Sequence, residues 1–395
     1  MNNSILHTEI QNFIDAYLKA DISSVLLKGT NFEAVETNEI IEQIEAKKRS
    51  EKKLATWFNA ENIYFPNKLN IEQTSSEVTA KHKANLMQGD AIIDLTGGFG
   101  VDCYYFSKHF KKVTHCEINP PKLSQIVSHN YKQLGVENIE TQTVDGIEYL
   151  KSLDSQFDWI YIDPSRRHDS KGKVFFLNDC LPNVPTHLDL LFKRSKNIMI
   201  KTSPLLDLSV GIGELKHVKT IHVVAVNNEV KELLWILEAD FNGDIGIKTC
   251  NIKKEKEDLF SFILDEEKTT DSNYSLPLTY LYEPNSAILK SGAFNSISNQ
   301  LQVSKLHKHS HLYTNATLID FPGRTFKIED ILPYNKKEIK KRGLNKANIT
   351  TRNFPETVQN IRKKFNIKDG GDLYVFFTTD LGNNKVVLIT KRVTS

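Results

Sequence analysis

The chain has 395 residues, 39% hydrophobic and 25% charged, with a formal net charge of +2. This length suggests about two or three domains, and the composition is that of a globular protein rather than a disordered or fibrous one. No apolar run approaches the roughly 18 residues of a membrane-spanning helix, so no membrane partner is expected. The four cysteines, Cys103, Cys116, Cys180 and Cys250, form no C-x-x-C pair; neither a disulfide framework nor a metal site is expected.

The opening MNNSILHTEIQ has neither the basic start nor the apolar core of a signal peptide, and a reduced, cytoplasmic protein is expected. Through about residue 88 the pattern is helical. Ile10, Phe13, Ile14, Tyr17 and Leu18 recur at helix spacing, and the stretch from Ile40 to Ile44 continues it. KKRSEKK, residues 47–53, reads as a solvated face. In LNIEQTSSEVTAKHKANLM, residues 69–87, Thr74 followed by Glu77 forms a capping box that predicts a helix start.

From about Asp90 the period changes. AIIDL (91–95), VTHCEI (113–118), IETQTV (139–144), FDWIYI (157–162) and NIMIKT (197–202) read as strands. VDCYYFSKHF and PKLSQIVSHNYKQLG between them read as helices, and TIHVVAV with KELLWIL as a closing hairpin. This alternation predicts an α/β fold with a parallel, doubly wound, Rossmann-like sheet. TTDSNYSLP (269–277) is a polar linker. Beyond it, PETVQNIRKKF (355–365) is a helix, and DLYVFFTTDLGNNKVVLITKR a hairpin through Gly-Asn-Asn, making a small α+β domain. The expected divisions are a helical domain over 1–88, the α/β domain over 89–268, a small ferredoxin-like or connecting α+β segment over 278–322, and a basic domain over 323–395. From Phe321 to Ser395, 16 Lys and Arg face 7 Asp and Glu, a balance of +9 that leaves −7 for the rest. A basic domain behind an acidic body suggests a polyanionic partner.

The candidate chemistry sits at strand ends. The first strand runs into DLTGGFG, from Asp94 through Thr96, Gly97 and Gly98 to Gly100. Such a turn lets backbone amides approach a ligand, and the helix behind it favours an anion. A dinucleotide fingerprint would need its last glycine at Cys103; the Asp-x-x-Gly-Gly-x-Gly form suits S-adenosyl-L-methionine (SAM), unless the turn is purely structural. Glu117, 23 residues after Asp94, ends the second strand, where a carboxylate can accept both ribose hydroxyls of an adenosine. Asp145 and Gly146 end the third, where a side chain or amide can bond the adenine edge. Each acid alone reads equally as a helix cap or a solvated group; the succession after a glycine turn points to a nucleoside.

Asp163 and Pro164 end the fourth strand. The corner resembles the Asp/Asn-Pro-Pro-aromatic motif of SAM enzymes that act on nitrogen, without its aromatic; the resemblance implies that the carboxylate and a following carbonyl, held by the fixed φ of proline, accept hydrogen bonds from the target amine and steer its lone pair. Arg166 and Arg167 suit a phosphate, or a surface ion pair. HDSKGK (168–173) reads as a mobile basic loop able to close on a substrate. KTSP (201–204) offers Thr202 and Ser203 but no cysteine nucleophile, which disfavours covalent cysteine catalysis. Cys180 reads as packing within a helical segment, and Phe175 and Phe176 as core or as a platform for a flipped base.

Together DLTGGFGVD, HCEINP, VDG, YIDPSRR and IKTSP, with the upstream LNIEQTSSEVTAKHKA, resemble the bacterial class I SAM-dependent methyltransferases that carry a C-terminal THUMP-like domain. The resemblance covers nearly the whole chain. It implies a seven-strand SAM-binding sheet, places Gln73, Thr74 and Ser75 at the methionine end of the cofactor, and implies an RNA substrate, since THUMP domains bind RNA. The expectation is methylation of a base nitrogen in tRNA or rRNA. Asp163, Pro164 and Arg166 are the catalytic candidates. Gln73, Thr74, Asp94, Thr96, Gly97, Gly98, Gly100, Glu117, Asp145 and Gly146 are the cofactor-binding ones. The rival readings are a methyltransferase for a protein or small molecule, and a non-catalytic RNA-binding protein with a vestigial SAM site.

Overall fold

The structure, a computed structural model, describes residues 1–118, 122–166 and 176–393. Internal contacts divide the chain into two units, residues 1–218 with 234–241, and residues 219–233 with 242–395.

The first unit opens with helices whose apolar stripes match the sequence period. Thr8–Tyr17 buries Ile10 and Ile14, and Thr37–Lys53 buries Ile40 and Ile44. The basic run at 47–53 is not simply solvated. Lys47 and Ser50 are buried, and Lys47 pairs with Asp15. Lys53 donates to the carbonyls of Ile71 at 2.9 Å and Glu72 at 2.7 Å, and Arg49 pairs with the Glu72 carboxylate. Those carbonyls end the Lys68–Gln73 helix, where unsatisfied acceptors favour a cation. The run therefore docks the EQTSSE segment. The cap also differs from expectation: Ser76, not Thr74, caps the Glu77–Asn85 helix, its Oγ accepting from Thr79 N–H at 3.2 Å. Glu77 instead accepts from Tyr105 OH at 2.7 Å and from Thr56.

A nine-stranded sheet follows: β1 (Ala91–Asp94), β2 (Lys112–Cys116), β3 (Ile139–Gln142), β4 (Phe157–Ile162), β5 (Ser195–Thr202), β6 (Val218–Val226), β7 (Glu229–Glu238), β8 (Gly246–Ile252) and β9 (Glu257–Ile263). Its order is 9-8-6-7-5-4-1-2-3. β1 pairs in parallel with both β2 and β4, β2 with β3, and β4 with β5. The chain winds outward through β2 and β3 and then returns to β4, so the order reverses beside β1. That reversal opens a crevice at the carboxyl ends. Asn227 and Asn228 connect β6 to β7 with φ of 50° and 66°, the mark of a two-residue hairpin turn.

The sequence pattern predicts seven strands, and the sheet has nine. β8, parallel to β6, and β9, antiparallel to β8, extend the edge. The signal was present in EDLFSFI, which buries Asp258, Phe260 and Phe262 in alternation.

The second unit also holds a seven-stranded sheet: β10 (Tyr280–Pro284), β11 (Ser304–Lys305), β12 (Tyr313–Asn315), β13 (Gly323–Pro333), β14 (Asn348–Thr351), β15 (Leu373–Thr379) and β16 (Lys385–Arg392), in the order 11-12-10-13-16-15-14. β10 pairs directly with β13. One core joins Leu281, Leu306 and Leu312 to Phe326, Phe376 and Leu388. Glu283, only 4% exposed, accepts from Arg324 Nε at 2.7 Å and Arg352 Nη2 at 3.0 Å. Residues 278–322 and 323–395, read as two divisions, thus share a sheet, a core and a buried ion cluster. Among the described residues no helix is long and apolar enough to cross a membrane.

Candidate active site

At the carboxyl ends of β1 to β4 lies a cavity of about 750 Å³. Gln73, Thr74 and Ser75 line it from the segment before the Glu77–Asn85 helix. Asp94, Thr96, Gly97 and Gly98 line it after β1, Glu117 after β2, Asp145 and Gly146 after β3, and Asp163 after β4. Among the candidates whose side chains are described, two stand off the lining. Gly100 lies behind the turn with φ of +80°, where a Cβ would come 2.1 Å from the Tyr131 hydroxyl. Pro164 is buried. The backbone of Arg166 pairs with Cys180 in a short ribbon, Ser165–Arg166 against Cys180–Leu181, whose Leu181 reaches the cavity. Cys180 is therefore in a strand, not a helix, and is buried as expected. The Arg166 side chain, Arg167, the HDSKGK stretch and Phe175 lie outside the described residues.

Hydrogen bonds fix the turn. Gly97 N–H donates to the Cys116 carbonyl at 2.8 Å, and Gly98 N–H to Glu117 Oε2 at 2.8 Å, so β2 holds the glycines from behind. Gly98 has φ of +53°, a region that favours glycine. Asp145 caps the Gly146–Ser152 helix, Oδ1 accepting from Ile147 N–H at 2.8 Å and Glu148 N–H at 3.0 Å.

A chain of polar contacts ties the turn to β4. Asp94 Oδ1 accepts from Thr96 N–H at 2.9 Å and lies 3.2 Å from Thr96 Oγ1. Thr96 Oγ1 accepts from Asp163 N–H at 2.7 Å. Asp163 Oδ2 is 2.5 Å from Lys201 Nζ, at the end of β5. A second network lies under the EQTSSE segment. Asp102 accepts from Ser75 Oγ at 2.8 Å and from Tyr161 OH at 3.1 Å, and pairs at 3.2 Å with Lys83, whose side chain is wholly buried. Lys83 and Lys201 are the site cations that sequence reasoning missed. AKHKA has the composition of a solvated helix face, and nothing local in KTSP points Lys201 toward Asp163.

Two family models match: one described as a ferredoxin-like domain over residues 280–322, and one described as THUMP domain-like over residues 323–392. A crystal structure of a candidate methyltransferase from Porphyromonas gingivalis W83 is 30% identical, with a TM-score of 0.89, covering 99% of this chain and 98% of that one. The chain belongs to that family of methyltransferases with a C-terminal THUMP-like domain. Its cofactor is SAM. Looser likenesses include an rRNA methylase from Streptococcus thermophilus, 16% identical over 41% of this chain and 93% of that one, with a TM-score of 0.31. Another is TrmK from M. capricolum with S-adenosyl-homocysteine, 17% identical over 42% of this chain and 70% of that one, with a TM-score of 0.32. At such scores neither bears on what this methyltransferase acts upon. No curated protein matches the chain.

The residues of this methyltransferase fit the cofactor on three counts. The cavity is within the range of small-molecule sites. A Cβ built on Gly98 meets nothing closer than the Thr96 carbonyl at 3.8 Å, so the turn presents bare backbone to open space. Asp94, Asp102, Glu117, Asp145 and Asp163 line the cavity, and among the described residues no Lys, Arg or His does. Such a lining suits a ligand carrying a sulfonium and an ammonium. Burial pushes the Asp94 carboxyl up to about 8, with the charges of Asp102 and Asp163 adding to the effect and the Thr96 N–H opposing it. Its folded value is thus above its unfolded one. The stability it contributes is complete below about pH 4, and is lost as pH rises through about 8. A cationic ligand beside Asp94 favours the charged form, so SAM binding at pH 7 should release a proton. Calorimetry in buffers of different ionisation enthalpy should show that release in the wild type and lose it in Asp94→Asn. An unchanged proton count would place the ligand's charge elsewhere.

Proposed function

We propose that this methyltransferase, acting in the cytoplasm, transfers a methyl group from SAM to a base nitrogen of a structured RNA, tRNA or rRNA. What supports this is that Glu117 and Asp163, on separate strand tips, open onto one cavity with the glycine turn between them. Glu117 receives the ribose hydroxyls. Asp145 or the Gly146 backbone meets the adenine edge, with Asp145 Oδ1 already committed to its helix. Gln73 and Thr74 close over the methionine end; Gly97, Gly98 and Gly100 shape the turn, and Asp94 and Thr96 brace it. SAM supplies a methyl group already activated on sulfur. The protein therefore contributes mainly alignment, worth up to about 7–11 kcal/mol in ideal cases. Asp163 and the backbone held by Pro164 orient the acceptor nitrogen, and Arg166 holds a phosphate.

The RNA reading rests on the second unit. Several of its cations are already paired: Arg342 with Asp330, Arg362 with Asp369, Lys364 with Glu356. Lys336, Lys337, Lys340 and Lys341 on the Lys336–Arg342 helix, and Lys363 on the Val358–Phe365 helix, are exposed. They show no ion pair among the described residues, which suits phosphate contact without base readout. Replacing Lys340 and Lys341 by alanine should weaken RNA binding several-fold. It should also flatten the slope of log affinity against log salt by about 2, at unchanged SAM affinity. Filter binding across a salt series measures both. Point changes are preferable to removing residues 321–395, which would part β10 from β13 and open the shared core.

The deciding experiment is methyl transfer from labelled SAM to RNA of a strain lacking the gene, followed by mass spectrometry of its nucleosides. A methylated base appearing only with the enzyme is the expected result. Label recovered on protein or a small molecule instead would favour the first rival, and no SAM binding at all the second.

A further inference from the structure

Lys201 stands beside the methyl-accepting corner with no role assigned to it so far. β4 and β5 are parallel neighbours with Ile162 opposite Ile200, so Asp163 and Lys201 leave the ladder side by side at the carboxyl ends of their strands. Lys201 Nζ sits 2.5 Å from Asp163 Oδ2, with the two side chains 16% and 31% exposed. Asp163 lines the cavity; Lys201 does not. On its other side the Asp163 backbone is pinned by the Thr96 hydroxyl at 2.7 Å. The carboxylate is thus held at both ends, by its backbone to the glycine turn and by Oδ2 to β5.

We propose that Lys201 is a positioning residue for the methyl-accepting end of the site. It aims Asp163 Oδ1 at the acceptor and balances the carboxylate charge, so that this corner carries no net charge. The inference rests on the methyltransferase reading given above. An electrically balanced corner suits a neutral nitrogen. That nitrogen's lone pair forms the new N–C bond as the S–C bond breaks, with the electrons of the old bond remaining on sulfur. The proton that the nitrogen then sheds passes to Asp163 Oδ1 and on to water. Without Lys201 the carboxylate is free to rotate, and it becomes an uncompensated anion facing a cationic cofactor.

The test uses the full chain with Lys201→Met, which keeps the length of the side chain and removes its charge, and Lys201→Arg, which keeps the charge. Methyl transfer to RNA of a strain lacking the gene is measured in single turnover at saturating SAM. Affinities for SAM and for S-adenosyl-homocysteine are measured in parallel. Lys201→Met should slow transfer at least tenfold at little change in apparent KM for RNA, and Lys201→Arg should recover most of the loss. Lys201→Met should also shift binding toward SAM relative to its product, which lacks the sulfonium charge, by about threefold or more, because a positive charge has left the corner. In an Asp163→Asn background it should add little, since both act through the same carboxylate. Wild-type transfer by Lys201→Met, or losses that multiply in the double variant, would overturn the inference and leave the RNA reading standing. A wild-type enzyme that methylates no RNA would overturn the reading itself, and this inference with it.

Discussion

Asp163→Ala is expected to lower the rate of methyl transfer by about 10³-fold or more, while SAM affinity falls by no more than about tenfold as a negative charge leaves the corner. The reason is where its atoms are spent. The Asp163 backbone N–H serves the fold, donating to Thr96 Oγ1 at 2.7 Å, and an alanine keeps that bond. The carboxylate lies on the cavity wall and meets Lys201. Its loss removes the acceptor's partner and, from the same place, the carboxylate that faces the Lys201 ammonium. Asp163→Asn retains an oxygen and should fall between the two. Single-turnover rates at saturating SAM, with calorimetric SAM binding alongside, check both halves of the expectation. An alanine variant with wild-type turnover would take Asp163 out of the mechanism.

Gly146→Ala is expected to be strongly damaging, because a Cβ at this cavity-lining glycine would collide with backbone. A Cβ there would stand 2.3 Å from the Leu95 carbonyl oxygen and 2.7 Å from Leu95 Cα. Both are backbone, so no side-chain rotation relieves the clash. Either the end of β1 or the start of the Gly146–Ser152 helix must move. The cost expected is about 3 kcal/mol of stability. SAM binding should fail as well, because Leu95 leads directly into the Thr96–Gly98 turn. By contrast, a Cβ on Gly98 meets only open space, although its φ of +53° disfavours alanine. Gly98→Ala should therefore harm binding more than folding. Urea unfolding and calorimetry of the two variants separate these effects; a Gly146→Ala protein within about 0.5 kcal/mol of wild type would mean that the close approach is not held in solution.

Much of the candidate site was legible in the sequence because its elements are local. A strand of a few apolar residues, a glycine turn and an acid at a strand end are each written within about ten residues of chain, and period and turn chemistry identify them. The parallel sheet followed from the alternation of strand and helix, and the convergence of Asp94, Glu117, Asp145 and Asp163 followed from the sheet. Short-range ambiguity explains two misreadings. In TSSE both Thr74 and Ser76 are competent caps, and only the chain's exit from the preceding helix chooses Ser76. KKRSEKK has the composition of a solvated face, yet the carbonyls that Lys53 satisfies belong to a helix further along the chain, 18 and 19 residues downstream.

By itself, then, the sequence determined which segments are strands and helices, where the chain must turn tightly, and that acids stand at successive strand ends, since all of these depend on neighbours in the chain. Only the tertiary structure decided which charges meet. Lys201 reaches Asp163 because β5 lies beside β4 in register, and Lys83 is buried against Asp102 because helices Glu77–Asn85 and Val101–Phe106 pack together. Strand order and helix packing are set by the burial of apolar surface summed over the whole unit. No local pattern of residues encodes that sum, so the partner of a given lysine is not written beside it.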